Sequence, residues 1–308
     1  MSAPFAFFES DILENLVYTL SVGIYGKHNT LNTLRMQTTI VKPFIKWAGG
    51  KRGLVPEIRR LLPAKYGRYL EPFLGGGAVA LALNSRPMYL NDINEELINA
   101  YLVIRNNLEQ LILILDGHQS AHSESYFYAI RDVEPALLTS IERAGRFIYL
   151  NKTAFNGLYR VNRRGEFNVP FGNYKNPILY ERENLEALSS FLIGVYLSCQ
   201  DYAEFLELHA QVDDVIYLDP PYQPIGKYSD FKRYTKNQFG EQDQRKLARI
   251  FDKLANLGAY PILSNSYSEL VLELYRHHVI TVVDSNRAIN KNAAGRGPVR
   301  EVIVTPRS

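Results

Sequence analysis

Short apolar runs alternate with amphipathic stretches along most of the chain. Tyr69–Leu70, Met88–Leu90, Val195–Ser198, Val215–Leu218, Tyr260–Ser264 and Val279–Val283 are brief, apolar and bounded by turn residues. That is the mark of strands in a parallel sheet covered on both faces. Helical periods lie between them. From Glu95 to Asn107, apolar Leu97, Ile98, Tyr101, Leu102 and Ile104 recur at helical spacing, and Asn94 is placed to cap the start. Thr235 to Leu257 repeats the pattern with Leu247, Ile250, Phe251 and Leu254 on one face. Strand–helix alternation closed by a C-terminal hairpin predicts an α/β domain.

Residues 108–188 break the alternation. A helical run from Ser125 to Tyr149 leads into a Gly/Asn/Arg-rich stretch, Asn151 to Asn176. Between 143 and 182 stand Arg143, Arg146, Lys152, Arg160, Arg163, Arg164, Lys175 and Arg182, against only Glu166 and Glu181. The chain's net charge of +3 therefore divides into +6 here and −3 elsewhere. A segregated basic segment points to a polyanionic partner more than the total does.

The length of 308 residues corresponds to roughly two domains, or to one large α/β domain carrying an insertion. Cys199 is the only cysteine, which excludes an internal disulfide framework and any multi-cysteine zinc site. No apolar run approaches the ~20 residues of a membrane helix. Leu16–Tyr25 follows Glu9, Asp11 and Glu14 rather than a basic leader, so it does not read as a signal peptide. A soluble cytoplasmic protein without a membrane partner is the expectation. Residues 1–36 carry no motif and are read as a dispensable N-terminal extension, with Met36 as an alternative start. The 21 Tyr and 15 Phe against a single Trp are a weak pointer to planar ligands.

Three motifs carry chemistry. Glu71-Pro72-Phe73-Leu74-Gly75-Gly76-Gly77 follows the first strand and precedes an Ala/Leu-rich helix. Glycines there allow positive φ and close approach of a ligand to the backbone, although three glycines also fit an ordinary tight turn. The pattern is neither GxGxxG nor a Walker loop. Asp92 ends the next strand, where a Rossmann-like sheet grips ribose hydroxyls; it also suits a helix cap. Asp219-Pro220-Pro221-Tyr222 follows the strand Val215–Leu218. Two prolines stop that strand and fix a turn from which the Asp219 carboxylate and backbone carbonyls face outward. An amine held there donates both N–H groups, and its lone pair is drawn out of ring conjugation. Tyr222 offers a face on which that ring can stack. Pro43-Phe44-Ile45-Lys46-Trp47-Ala48-Gly49-Gly50-Lys51 sets the single Trp beside two lysines, which equally fits a packed Trp with solvated lysines.

The ordered set FIKWAGGK, EPFLGGG, YLND and DPPY, from about Val41 to the C-terminus, resembles the Dam family of DNA adenine-N6 methyltransferases (class α, D12 type). Asn156-Gly157-Leu158-Tyr159-Arg160 and Arg164-Gly165-Glu166-Phe167-Asn168-Val169-Pro170-Phe171-Gly172 are similar to that family's target-recognition segment. The resemblance implies a Rossmann-like S-adenosylmethionine-dependent catalytic domain, residues 37–107 and 189–308. It also implies an inserted, mainly helical target-recognition domain, residues 108–188. S-adenosylmethionine is the implied methyl donor with no metal, double-stranded DNA the substrate, GATC the context, and a monomer the expected state.

The family's roles fall on particular residues. Trp47, Lys51, Glu71, Phe73, Gly75 and Asp92 match donor-binding positions. Asp201 resembles the residue meeting the donor's adenine amine. Asp219, Pro220 and Tyr222 form the catalytic turn, with Asp219 also beside the donor. Lys46 and Arg160 resemble the residues reading guanines. Leu158 and Pro170 stand where a thymine methyl is checked. Phe155 and Asn156 resemble the pair filling the gap left by the flipped adenine. Phe155 replaces the usual Tyr, while Lys152 and Asn173 replace common arginines at phosphate contacts. Basic residues Lys227, Lys232, Arg233 and Lys236, and Arg287, Lys291, Arg296 and Arg300, are further expected phosphate contacts. Methylation of an RNA amine or a protein glutamine, and a non-catalytic DNA-binding relative, are the competing readings.

Overall fold

Strands β1 (Tyr69–Glu71) and β4 (Val215–Leu218) are buried at every residue, as the centre of a parallel sheet covered on both faces requires. The computed structural model describes residues 40–162, 164–222, 239–285 and 299–307. The proposed extension 1–36 and the basic residues Lys227, Lys232, Arg233, Lys236, Arg287, Lys291 and Arg296 lie outside the described residues. Adding β2 (Met88–Asn91), β3 (Tyr196–Ser198), β5 (Tyr260–Ser266), β6 (Val279–Ser285) and β7 (Val299–Thr305) gives one seven-stranded sheet, ordered β3-β2-β1-β4-β5-β7-β6. The first five pair in parallel, with Tyr69 opposite Met88 and Val215, and Leu218 opposite Leu263. β7 runs antiparallel between β5 and β6, placing Glu301 opposite both Ser266 and Val283. All six expected strands are present, and β7 completes the expected hairpin.

The chain reverses its direction of strand addition between β1 and β4. The crevice above the carboxyl ends of those two strands is where open α/β sheets bind ligands. Helices α1 (Val55–Leu61) and α2 (Ala78–Leu83) flank β1 in the chain. α3 (Glu95–Asn106) begins as expected, its Leu97 N–H donating to Asn94 Oδ1 at 3.0 Å.

The middle segment folds as α4 (Leu108–Ala121), α5 (Glu124–Asp132), α6 (Ser140–Thr153) and α7 (Arg182–Leu192). The single helix expected from Ser125 to Tyr149 is two helices. Pro135 starts a separate one-turn 3-10 segment, Pro135–Leu137, because its ring can neither donate a helical N–H nor avoid the preceding turn. Thr139 and Glu142 then form a capping box that restarts the chain as α6. Leu97, Ile98 and Tyr101 of α3 share one apolar cluster with Phe147, Ile148 and Tyr149 of α6. Tyr202–His209 forms α8, Glu241–Leu257 α9 and Glu269–Leu274 α10. α9 starts at Glu241, after Gly240, whose N–H donates to Asp243 Oδ2 at 2.8 Å, while the expected start at Thr235 lies outside the described residues.

Much of the basic surplus is spent inside the fold. Arg143 bridges Glu95 and Glu96, Arg182 bridges Glu109 and Glu186, and buried Arg146 donates to the carbonyls of Ile130 and Arg131 at the end of α5. Three of the eight cations thus serve helix packing and capping. No helix among the described residues is long and apolar enough to cross a membrane.

Candidate active site

The three carboxylates singled out by the motifs stand at the carboxyl edge of neighbouring parallel strands. Glu71 is the last residue of β1, and Asp92 and Asp219 follow β2 and β4. Each is fastened differently. Tyr69 donates its hydroxyl to Glu71 Oε2 at 2.6 Å. Burial pushes the Glu71 carboxyl up to about 8, with Tyr69 opposing the shift and Asp219 adding to it. Asp92 accepts N–H groups from Gly75 at 2.8 Å and Asn94 at 2.9 Å. Burial raises it to about 6, and those backbone donors hold it from rising further. Asp92 therefore serves as a turn anchor as well as a carboxylate at the expected place.

Asp219 Oδ1 accepts from Ser264 Oγ at 2.9 Å and lies 3.0 Å from Lys51 Nζ. Burial raises the Asp219 carboxyl, and Lys51 opposes the shift. Ser264 is supported in turn by the Tyr217 hydroxyl at 2.8 Å. The Lys51 ammonium is 4.5 Å from the centre of the Tyr222 ring and is only 7% exposed. It also donates to the Gly49 carbonyl at 2.5 Å. One cation thus touches the carboxylate and the aromatic face that an aromatic amine would need. Behind the turn, Asn265 Nδ2 donates to Gln244 Oε1 at 3.0 Å, and Gln244 Nε2 donates to the Pro221 carbonyl at 2.9 Å. Tyr222 donates its hydroxyl to Glu301 Oε2 at 2.8 Å. Ser264, Gln244, Asn265 and Glu301 escaped the motif reading. The available signal was a polar Ser-Asn-Ser ending to the otherwise apolar run of β5.

Gly75 has φ +50°, and a Cβ there would lie 2.8 Å from Trp47 Cδ1. Gly77 has φ +67°, and its Cβ would meet the Tyr101 hydroxyl at 2.8 Å. The glycine turn is therefore required by both backbone and packing. Gly75→Ala is expected to cost about 1–3 kcal/mol, the usual range for overpacking. It must displace Trp47, so denaturation followed by the fluorescence of this single tryptophan reads the effect directly; an unchanged midpoint and spectrum would contradict it.

Phe73 packs against Tyr202 and Phe239, with ring centres 4.9 and 6.2 Å apart. Asp201 caps α8 by accepting the Ala203 N–H at 2.9 Å, and its Oδ1 lies 3.7 Å from Lys246 Nζ. It thus stands on the same edge as Asp92, beyond β3, while serving as a cap.

A second group of expected residues lies on the segment after α6. Bridges Ala154–Phe171 and Val161–Phe167 pair the two described arms of this segment in antiparallel fashion. At its start Phe155 is 37% exposed beside Asn156, which has a left-handed φ of 57°. Pro170 is exposed and its carbonyl accepts the Phe155 N–H at 2.9 Å, while Leu158 is half-buried. Arg160 Nε donates to Asn168 Oδ1 at 2.8 Å, which orients the guanidinium. Lys152 is half-buried, and burial together with nearby Lys46 lowers its ammonium below the usual lysine range. Arg300 remains on β7, 5.8 Å from the Tyr267 ring.

The two groups are tied together. Buried Asn151 accepts the Lys46 N–H at 3.0 Å and donates to the carbonyls of Lys46 at 2.8 Å and Gly157 at 3.3 Å. Trp47 stacks on Tyr159 with ring centres 5.5 Å apart.

A sequence model described as "D12 class N6 adenine-specific DNA methyltransferase" matches residues 47–289. The chain is 39% identical over 281 residues to the Type II methyltransferase M1.LlaDCHI of Lactococcus lactis subsp. cremoris, covering 89% of this chain and 99% of that one. It is 40% identical over 270 residues to the Type II methyltransferase M.MjaIII of Methanocaldococcus jannaschii, covering 81% and 93%. It is 37% identical over 268 residues to a DNA adenine methylase of Serratia marcescens, covering 85% and 97%.

Proposed function

The chain belongs to the D12 class of N6 adenine-specific DNA methyltransferases, and on that premise we propose that it methylates the N6 amine of an adenine flipped out of duplex DNA, in the context GATC. The observation that carries the reading is the pairing of Asp219 with the Tyr222 ring at the β1/β4 crevice, beside Glu71, Asp92 and the glycine turn.

S-adenosylmethionine supplies an electrophilic sulfonium methyl when bound. The residues present fit such a cationic nucleoside: Asp92 suits ribose hydroxyls, Glu71 and Asp219 suit positive charge, and the glycine turn brings Trp47 against the backbone. Trp47, Lys51, Phe73, Gly75 and Asp201 complete the donor site in this proposal. Asp219 and the Pro220 carbonyl hold the amine's two N–H groups. That would free the amine's lone pair from the ring and stabilise the positive charge that develops on its nitrogen during methyl transfer. The surplus proton of the methylated amine would then leave by way of the Asp219 carboxylate to solvent water. The ammonium of Lys51 has to yield its contact with Asp219 and Tyr222 to admit the amine.

Extrusion of the base costs a few kcal/mol. Phe155 entering the vacated space and Tyr222 under the extruded base offset it, each stack being worth about 1–3 kcal/mol. The exposed Phe155 beside the strained Asn156 supports that role. Lys46 and Arg160 are assigned to guanines, Leu158 and Pro170 to a thymine methyl, and Lys152 to a phosphate. In this reading 108–188 is the target-recognition part and 37–107 with 189–308 the catalytic part. A DNA substrate fits the cytoplasm of a bacterial or phage-infected cell.

Methyl transfer from labelled S-adenosylmethionine to unmethylated DNA tests the reading; label found only on RNA or protein would refute it. Arg160→Ala is expected to erode discrimination between GATC and one-base variants by about 1–3 kcal/mol, the worth of a bidentate guanine contact. Non-specific affinity should fall less. An unchanged ratio of methylation rates on the two duplexes would remove Arg160 from guanine reading.

A further inference from the structure

Glu301 is a charged residue in the middle of a sheet. It sits on β7, between β5 and β6, and is 6% exposed. A carboxylate at such a position is costly unless polar groups reward it. Its side chain accepts the Tyr222 hydroxyl at 2.8 Å, across 79 residues of sequence. Burial, with Asp219 next in importance, raises the Tyr222 phenol well above its ordinary value, so the hydroxyl keeps its proton and remains a donor.

We propose that Glu301 is a positioning residue that fixes the plane of the Tyr222 ring through this hydrogen bond. The proposal rests on the catalytic role given to Tyr222 above. A tyrosine ring can turn about two side-chain bonds, and the prolines before it restrain only its backbone. The Lys51 ammonium on its face is a contact the substrate must displace. The bond from the hydroxyl to Glu301 survives when the face is given to a base, with Ser264 also interacting with that hydroxyl. It anchors the far end of the ring to β7, while Asp219 is anchored to β5 through Ser264. The stacking face and the amine acceptor are thus both referred to one rigid sheet, and in-line methyl transfer depends on that mutual placement. A tyrosine rather than a phenylalanine is needed for this reason, since stacking alone would not use the hydroxyl.

The test is a double-mutant cycle on the full-length enzyme, read as single-turnover methylation of a GATC duplex with saturating donor. Tyr222→Phe keeps the ring and removes the hydroxyl, and Glu301→Ala removes the acceptor. Each is expected to lower the single-turnover rate about tenfold or more, tenfold being just under the low end of what a hydrogen bond to a charged group is worth. The combined variant should be no slower than either alone, and donor affinity should not change. Glu301→Gln, whose amide oxygen still accepts, should recover most of the rate. Additive losses would show that Glu301 acts on the fold rather than on Tyr222 and would overturn the proposal. A wild-type rate in Tyr222→Phe would overturn it too, even if Glu301→Ala failed to fold. Tyr222→Ala separates the two levels: full activity there would instead refute the catalytic role of Tyr222 itself.

Discussion

Asp219→Ala is expected to stop methyl transfer, lowering the single-turnover rate by about 10³-fold or more while the protein still binds DNA. Removal of one preorganised partner of a developing charge costs about 10²–10³ in other enzymes, and Asp219 does more than that here. Its Oδ1 already joins Ser264 and Lys51, so it both receives the amine and sets the position of the residue that must withdraw. Alanine also leaves a 7% exposed ammonium without its carboxylate. A loss of stability is therefore expected alongside the loss of chemistry. Asp219→Asn separates the two, because its amide oxygen can accept from Ser264 and Lys51, and from one N–H of the amine once Lys51 withdraws. It should fold normally and retain partial activity. Labelled-methyl transfer and thermal denaturation on both variants check this. Transfer that persists in Asp219→Ala would end the amine-binding role.

The distinction between motif and support explains what could be read from the chain alone. Glu71, Asp92 and Asp219 were legible because each follows an apolar strand run directly. A residue at the carboxyl end of a parallel strand has its location set by that strand. Ser264, Gln244, Asn265 and Glu301 were not, because their partners lie 21 to 79 residues away and only the register of β5, β7 and α9 brings them together. Helical periodicity ran through Pro135 because apolar spacing on either side happened to stay in phase, while the missing N–H forced the break. Charge segregation was real as a count, yet Arg143, Arg146 and Arg182 find partners inside the helices. A count of basic residues cannot distinguish a helix-capping arginine from one that meets a phosphate.

Glu71→Gln is expected to make the protein more stable at alkaline pH than its parent, and the sign follows from linkage. The Glu71 carboxyl rises from 4.5 to about 8 in the folded chain, chiefly by burial. Between those values the folded protein holds a proton that the unfolded chain has released. Stability from this group is therefore fully present below pH 4.5 and is lost as pH rises through about 8. Glutamine mimics the protonated form and carries no such loss. The stability advantage of Glu71→Gln should grow by on the order of 4 kcal/mol between pH 5 and pH 9, taking 1.36 kcal/mol per pKa unit. Asp92, raised to about 6, titrates in both proteins, and its charge adds a smaller part of the Glu71 shift. Denaturant midpoints across that range measure it; a pH-independent difference would show that Glu71 is already ionised in the fold. The same burial has a use in the proposed reaction. A cationic donor beside Glu71 lowers its pKa and drives the proton out, so donor affinity in the parent should strengthen toward alkaline pH. In Glu71→Gln that pH dependence should largely vanish, and the variant that is more stable at alkaline pH should be the weaker binder.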